Sequence, residues 1–145
     1  MERLSGMDAT FLYLETPAGH MHVAMTGIYD ASTMPGGYSF ETIKQTIGER
    51  VPLVPPFRRR LVEVPFNLHH PVWIEDPDFD LDAHVHRVVC PAPGGRRELA
   101  RLAGQIASTP IDRTRPLWEA WVIEGLKHDR FGFIAKVHHA TIDGS

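Results

Sequence analysis

Two apolar runs near the end of the chain, Trp118 to Glu124 and Phe131 to about His138, are separated by little more than the polar stretch Lys127-His128-Asp129-Arg130. A parallel pairing needs a crossover of a dozen or more residues, so this connection leaves only an antiparallel hairpin. Upstream, Leu99, Leu102, Ala103 and Ile106 recur at i, i+3, i+4 and i+7, which predicts a helix from Arg96 to about Ser108. Ser39 can cap a second amphipathic helix that runs to about Arg50, with Phe40, Ile43 and Ile47 as its apolar stripe. Further strands are expected at His20 to Asp30, Leu61 to about Leu68, Pro71 to Ile74 and Ala83 to Cys90, and a short helix from Ser5 to about Glu15. In the first of these strands Met21, Val23, Met25 and Tyr29 share one face and His22 takes the other. Pro52, Pro55 and Pro56 bar a regular helix or a central strand between the second helix and Leu61. The order predicts an α+β fold, a mixed β-sheet with helices packed on it.

The 145 residues suit one domain, by the usual range of about 100–200 residues. With 43% hydrophobic and 23% charged residues the chain can bury a core, and a net charge of −3 excludes the electrostatic footprint of a nucleic-acid binder. A lone cysteine, Cys90, excludes an intrachain disulfide and fits a reducing, cytoplasmic compartment. No stretch approaches the roughly 20 apolar residues of a membrane span. Three basic residues, Arg58-Arg59-Arg60, could meet a phosphate or an anionic headgroup, but a solvated face beside a proline turn explains them as well. The Met21/Met25 side of the early strand could line an apolar channel, with core packing as the default.

The polar chemistry gathers at "KVHHATIDGS". Successive strand side chains point to opposite faces, so His138 and His139 cannot both face the same space. His139 continues the series Phe131, Phe133, Ala135, Val137; His138 continues Gly132, Ile134, Lys136. One imidazole can therefore meet a substrate while the other packs internally. Asp143 can return toward the pair after a turn, and Gly144 permits close backbone approach. A carboxylate there can fix an imidazole tautomer, or pair with an arginine and hold the loop. An unperturbed histidine titrates near neutrality, as a general base acting on a hydroxyl should. A metal site is the other option for His138, His139 and Asp143, although the spacing is not the i, i+4 pattern of helical zinc sites. The pairs His20/His22, His69/His70 and His84/His86 are expected to be ordinary surface pairs.

"HHATIDG" resembles the HHxxxDG signature of the CoA-dependent acyltransferase superfamily, which includes chloramphenicol acetyltransferase-like enzymes and the condensation domains of peptide synthetases. "RPLWEAWVIEGL" resembles the PLW segment of bacterial wax ester synthase/acyl-CoA:diacylglycerol acyltransferases, and "LSGMDATFLYLETPAGHMHV" resembles the opening of the same family. The likeness runs from about residue 3 to Ser145, with the three segments in the family's order.

The resemblance implies an acyltransferase that moves a long-chain acyl group from acyl-CoA to diacylglycerol or to a long-chain alcohol. It implies His139 as general base, with His138 supporting, Asp143 structural through an arginine, and Gly144 allowing close approach. Pro116, Leu117 and Trp118 are the candidate substrate-binding positions, with packing as the simpler role. No resident cofactor and no metal are implied, since acyl-CoA is a substrate. It also implies the N-terminal half of a chloramphenicol acetyltransferase-like two-domain fold, residues 1–145 ending at the motif, with the C-terminal remainder of the enzyme as a separate chain. The lipid products imply peripheral contact with a membrane or lipid droplet. A condensation-type enzyme using carrier-bound acyl groups, and a non-catalytic lipid-binding module, are the alternatives.

Overall fold

The computed structural model describes residues 2–3, 22–62, 66, 72–138 and 141, with the backbone alone at 2, 3, 22 and 23. The expected helix at Ser5 to Glu15 lies outside these residues, as do His20, Met21, His69, His70, His139, Asp143 and Gly144.

The hairpin is present and forms the middle of a four-stranded sheet. Strand β6 (Trp118–Leu126) pairs antiparallel with β7 (Arg130–His138), and Trp118 stands opposite Val137. Their turn places His128 and Asp129 at φ of 65° and 54°. Two central residues of positive φ match the right-handed strand twist, and His and Asp are among the side chains that tolerate that region. β6 runs two residues past its expected end, because Gly125 at φ 81° absorbs an irregularity between Ile123 and Leu126. The edge strand β2 (His22–Asp30) pairs antiparallel with β7, and β5 (Val85–Val89) pairs parallel with β6, giving the order β2-β7-β6-β5. β5 starts two residues later than expected, since the Asp80 carboxylate accepts from the Asp82 N–H and winds Leu81–Ala83 into a 3-10 turn. A smaller antiparallel sheet has the order β1-β4-β3, from Glu2–Arg3, Val72–Glu75 and Arg59–Val62. The strands expected from Leu61 and from Pro71 are β3 and β4, but β3 begins before Leu61, directly after two 3-10 turns (Val51–Leu53 and Pro55–Arg58) that use the prolines.

Helix α1 (Phe40–Arg50) starts at Ser39, whose hydroxyl accepts from the Thr42 N–H. Its Phe40, Ile43 and Ile47 pack with Trp118, Val122, Phe131 and Phe133 on one face of the large sheet. Helix α2 (Arg96–Ser108) covers the opposite face, where Leu99 and Ile106 are buried against Ile123 and Ile134. Burial of each of those two side chains contributes roughly 1.5–3 kcal/mol. The four-stranded sheet is thus the middle layer between two helices, and the parallel step from β5 to β6 is made through α2.

Two buried polar residues brace this arrangement. Lys136 on β7 is 0% exposed. Its Nζ donates to the carbonyls of Ile106 at 2.7 Å and Thr109 at 2.5 Å, the last carbonyls of α2 and its cap, and lies 3.5 Å from the Glu119 carboxylate on β6. One ammonium therefore complements the negative end of the helix and ties helix to sheet. Burial pushes its pKa down, opposed by Glu119. His84 is 2% exposed, which corrects the surface-pair reading. It stacks on Trp118 with ring centroids 4.6 Å apart, and its Nδ1 donates to the Trp118 carbonyl at 2.8 Å. Its companion His86 is half-buried against Trp121, not a free surface residue. Met25 is corrected in the other direction: it is 71% exposed on an edge strand, because no element among the described residues covers that part of β2.

Lys136→Met is expected to lower stability by about 3 kcal/mol, because it leaves the helix-end carbonyls and Glu119 without their cation. Urea denaturation measures it, and adding Glu119→Leu should recover part of the loss. Burial lowers the His84 pKa below its ordinary 6.5, with the Trp118 hydrogen bond opposing. The unfolded chain then binds the extra proton more readily, so stability falls as pH drops through about 6.5. His84→Phe should flatten that part of the stability–pH curve; an unchanged slope would contradict the assignment.

Candidate active site

The candidate site is built on the C-terminal end of β7. His138 is its last strand residue and is 1% exposed. The register puts it on the α2 side with Gly132, Ile134 and Lys136, the face that the alternation predicts. Its backbone N–H donates to the Leu117 carbonyl at 3.1 Å, so the strand end is clamped by the segment that enters β6. Thr141, inside the same motif, is buried.

That clamp gives Pro116, Leu117 and Trp118 a place. Pro116 and Leu117 are completely buried and Trp118 nearly so. Leu117 packs with Leu61, Trp73 and Ile111, which joins the small sheet to the large one. Trp118 points to the other side, stacks on Phe57 and His84, and donates from Nε1 to the Phe57 carbonyl at 2.8 Å. Consecutive residues of one strand start thus hold two sheets and the histidine-bearing strand. The structure brings Leu117 and His138 into direct contact and leaves His139, Asp143 and Gly144 outside its described residues.

On the face opposite His138 lies a groove of about 240 Å³. Phe133, Ala135 and Val137 of β7 form one wall, Trp118 and Ala120 of β6 continue it, and Ile47, Val51, Val54 and Phe57 close the far side. All these side chains are apolar; the charged residues Arg50, Glu119 and Lys136 complete the lining. Water gains nothing by solvating such a surface, so an alkyl chain is the ligand it favours. The wall is the odd-numbered series of β7 that precedes His139 in the sequence.

The basic run from the sequence has local partners. The Arg58 guanidinium lies 5.5 Å over the Phe79 ring, and Arg60 is 3.6 Å from Asp76. The residues that sequence reasoning missed are Lys136, Glu119 and His84. For Lys136 a signal existed: a lysine follows Gly132 and Ile134 on a strand face that is otherwise apolar, and a charge there must be paired. For His84 there was none, since Trp118, on which it stacks and to whose carbonyl it donates, lies 34 residues further along the chain.

Residues 4–145 match the family model of the wax ester synthase/diacylglycerol acyltransferase catalytic domain. Relatives include "Putative diacyglycerol O-acyltransferase Rv3087" of Mycobacterium tuberculosis, 49% identical over 99% of this chain and 30% of its own length. Another protein of that organism, "Probable diacyglycerol O-acyltransferase tgs3", is 39% identical over 98% of this chain and 52% of its own. Among solved structures, the wax ester synthase/diacylglycerol acyltransferase from Marinobacter aquaeolei VT8 superposes with a TM-score of 0.83 at 34% identity, over 99% of this chain and 34% of that one. The starter condensation domain of rhizomide synthetase RzmA shares the fold, with a TM-score of 0.64 at 14% identity over 96% of this chain and 34% of that one. The chain spans about a third of the length of most of these proteins. With its residues 4–145 matched end to end, the chain belongs to the wax ester synthase/diacylglycerol acyltransferase family.

Proposed function

We propose that the whole protein is an O-acyltransferase that transfers a long-chain acyl group from acyl-CoA to the hydroxyl of diacylglycerol or of a long-chain alcohol. The observation that carries this reading is the apolar groove against Phe133, Ala135 and Val137, the strand series that His139 continues. A base that follows this strand series in the sequence would meet a hydroxyl or a thioester whose chain lies along the groove. The names of the relatives support the same chemistry.

In this mechanism the His139 imidazole takes the proton of the acceptor hydroxyl as its oxygen attacks the thioester carbonyl. The tetrahedral intermediate collapses with cleavage of the C–S bond, and the imidazolium returns the proton to the departing thiolate. Ester and free CoA are the products, and no covalent acyl-enzyme or resident cofactor is needed. His138, held on the buried face through Leu117, keeps the strand end in place, and Asp143 and Gly144 take the structural roles that the motif implies. The chain supplies the N-terminal part of the enzyme, and the remainder supplies the other wall of the site and the donors for the intermediate's oxyanion.

In the full-length protein, His139→Ala should lower ester formation from palmitoyl-CoA and diacylglycerol by about 10²–10⁴-fold. Undiminished turnover in the variant would sink the general-base assignment, and transfer only from carrier-bound acyl groups would sink the donor assignment. Ala135→Leu narrows the groove and should shift preference toward shorter chains. A panel varying donor and acceptor length separately identifies which substrate lies there, and no shift with either would contradict the groove's role.

A further inference from the structure

The groove beside β7 owes its shape to one cross-strand pair. Ala120 of β6 stands directly opposite Ala135 of β7. The next pairs on the same face are larger, Trp118 with Val137 on one side and Val122 with Phe133 on the other. Residues paired in this way hold their Cβ atoms about 5 Å apart, so two alanines in register leave a hollow that the larger pairs wall in. Ile47 of α1 and Val51 of the turn after it pass over the hollow and leave about 240 Å³ open. Protein interiors pack to the density of organic crystals, and a void that serves stability alone is a cost.

The two ends of the hollow differ. Trp118 and Val137 form the last pair before His138, so one end lies beside the motif. At the other end the groove stops at Phe133, which also packs into the cluster of Val122, Phe131, Phe40 and Ile43 between sheet and α1. Val122 is 0% exposed, so that space is filled and the groove is blind there. Lys136 and Glu119 bring no charge into it, because the ammonium bonds to the α2 carbonyls and meets Glu119 on the other face of the sheet. From Val137 to Phe133 the strand takes four steps, about 13 Å, roughly the length of ten methylenes in an extended chain.

We propose that Phe133 sets the length limit of the substrate chain. The chain enters beside Val137, crosses the alanine pair and stops against the Phe133 ring. This deepens the acyltransferase reading, from which it takes the alkyl chain as ligand, and adds a stop made by one side chain of β7. Each methylene that fits leaves water, and the first that does not fit gains nothing.

The test is calorimetric titration of the full-length protein with saturated acyl-CoAs and, separately, with primary alcohols, each from about 8 to 18 carbons. For the substrate that lies in the groove, affinity should rise about fourfold per methylene to a limiting length and then level off. Phe133→Ala should move that limit out by about three carbons, and Phe133→Trp should bring it in. Ala120→Val, on the opposite strand, should weaken long chains more than short ones and probes the hollow without touching Phe133. The ratio of long-chain to short-chain affinity in one preparation does not depend on the fraction folded, so a loss of fold is not mistaken for the effect. A rise that continues through both series, the same limit in all three variants, or binding that ignores chain length would overturn the proposal. If the limit moves as expected while no ester forms, the acyltransferase reading falls and the length limit stands.

Discussion

The buried ammonium of Lys136 is the interaction on which the rest of the architecture leans. It ends α2, meets β6 through Glu119 and sits two residues before His138. An unpaired charge at 0% exposure would be forced to neutralise or to unfold its surroundings. Here its hydrogens are taken by carbonyls at the negative end of a helix. Two liabilities, a negative helix end and a buried cation, offset one another. The geometry then follows: α2 cannot slide along the sheet without stranding the charge, and the end of β7 inherits that rigidity.

A second brace works from the other side of the sheet. His84 holds Trp118 by stacking and through the Trp118 carbonyl, while Leu117 joins the two sheets and accepts the His138 N–H. The PLW segment is thus packing in the literal sense, yet its packing supports the strand on which the site is built. The same Trp118 lines the apolar groove. Core and candidate site share a wall, so substitutions there should not be sorted into structural and functional kinds.

Much of the fold was legible in the chain because its signals are local. The helix at Arg96–Ser108, the Ser39 cap, the hairpin and the opposite faces of the last strand each depend on periodicity or on a short connection. The family was legible in three short segments, above all "HHATIDG". The errors arose where distant residues decided burial. His84 looked like a surface histidine because the rings that enclose it, Phe79 and Trp118, are not its periodic neighbours. Met25 looked like core because alternation says which residues share a face, not whether another element covers it.

The basic residues show the same division. Arg58-Arg59-Arg60 drew notice as a run, and the fold gives Arg58 and Arg60 local partners. Arg96, Lys127 and Arg130 are scattered in the chain, and only the approach of the Gly94 loop to the hairpin turn collects them. By itself the sequence determined the element types, the order of the site motif and the face of β7 that His138 takes, since these follow from backbone periods of 3.6 and 2.0 residues. Only the tertiary structure decided which charges are buried, which are paired and which gather on a common surface. Desolvation and Coulomb energies depend on distance in space, and the linear order of residues does not carry that distance.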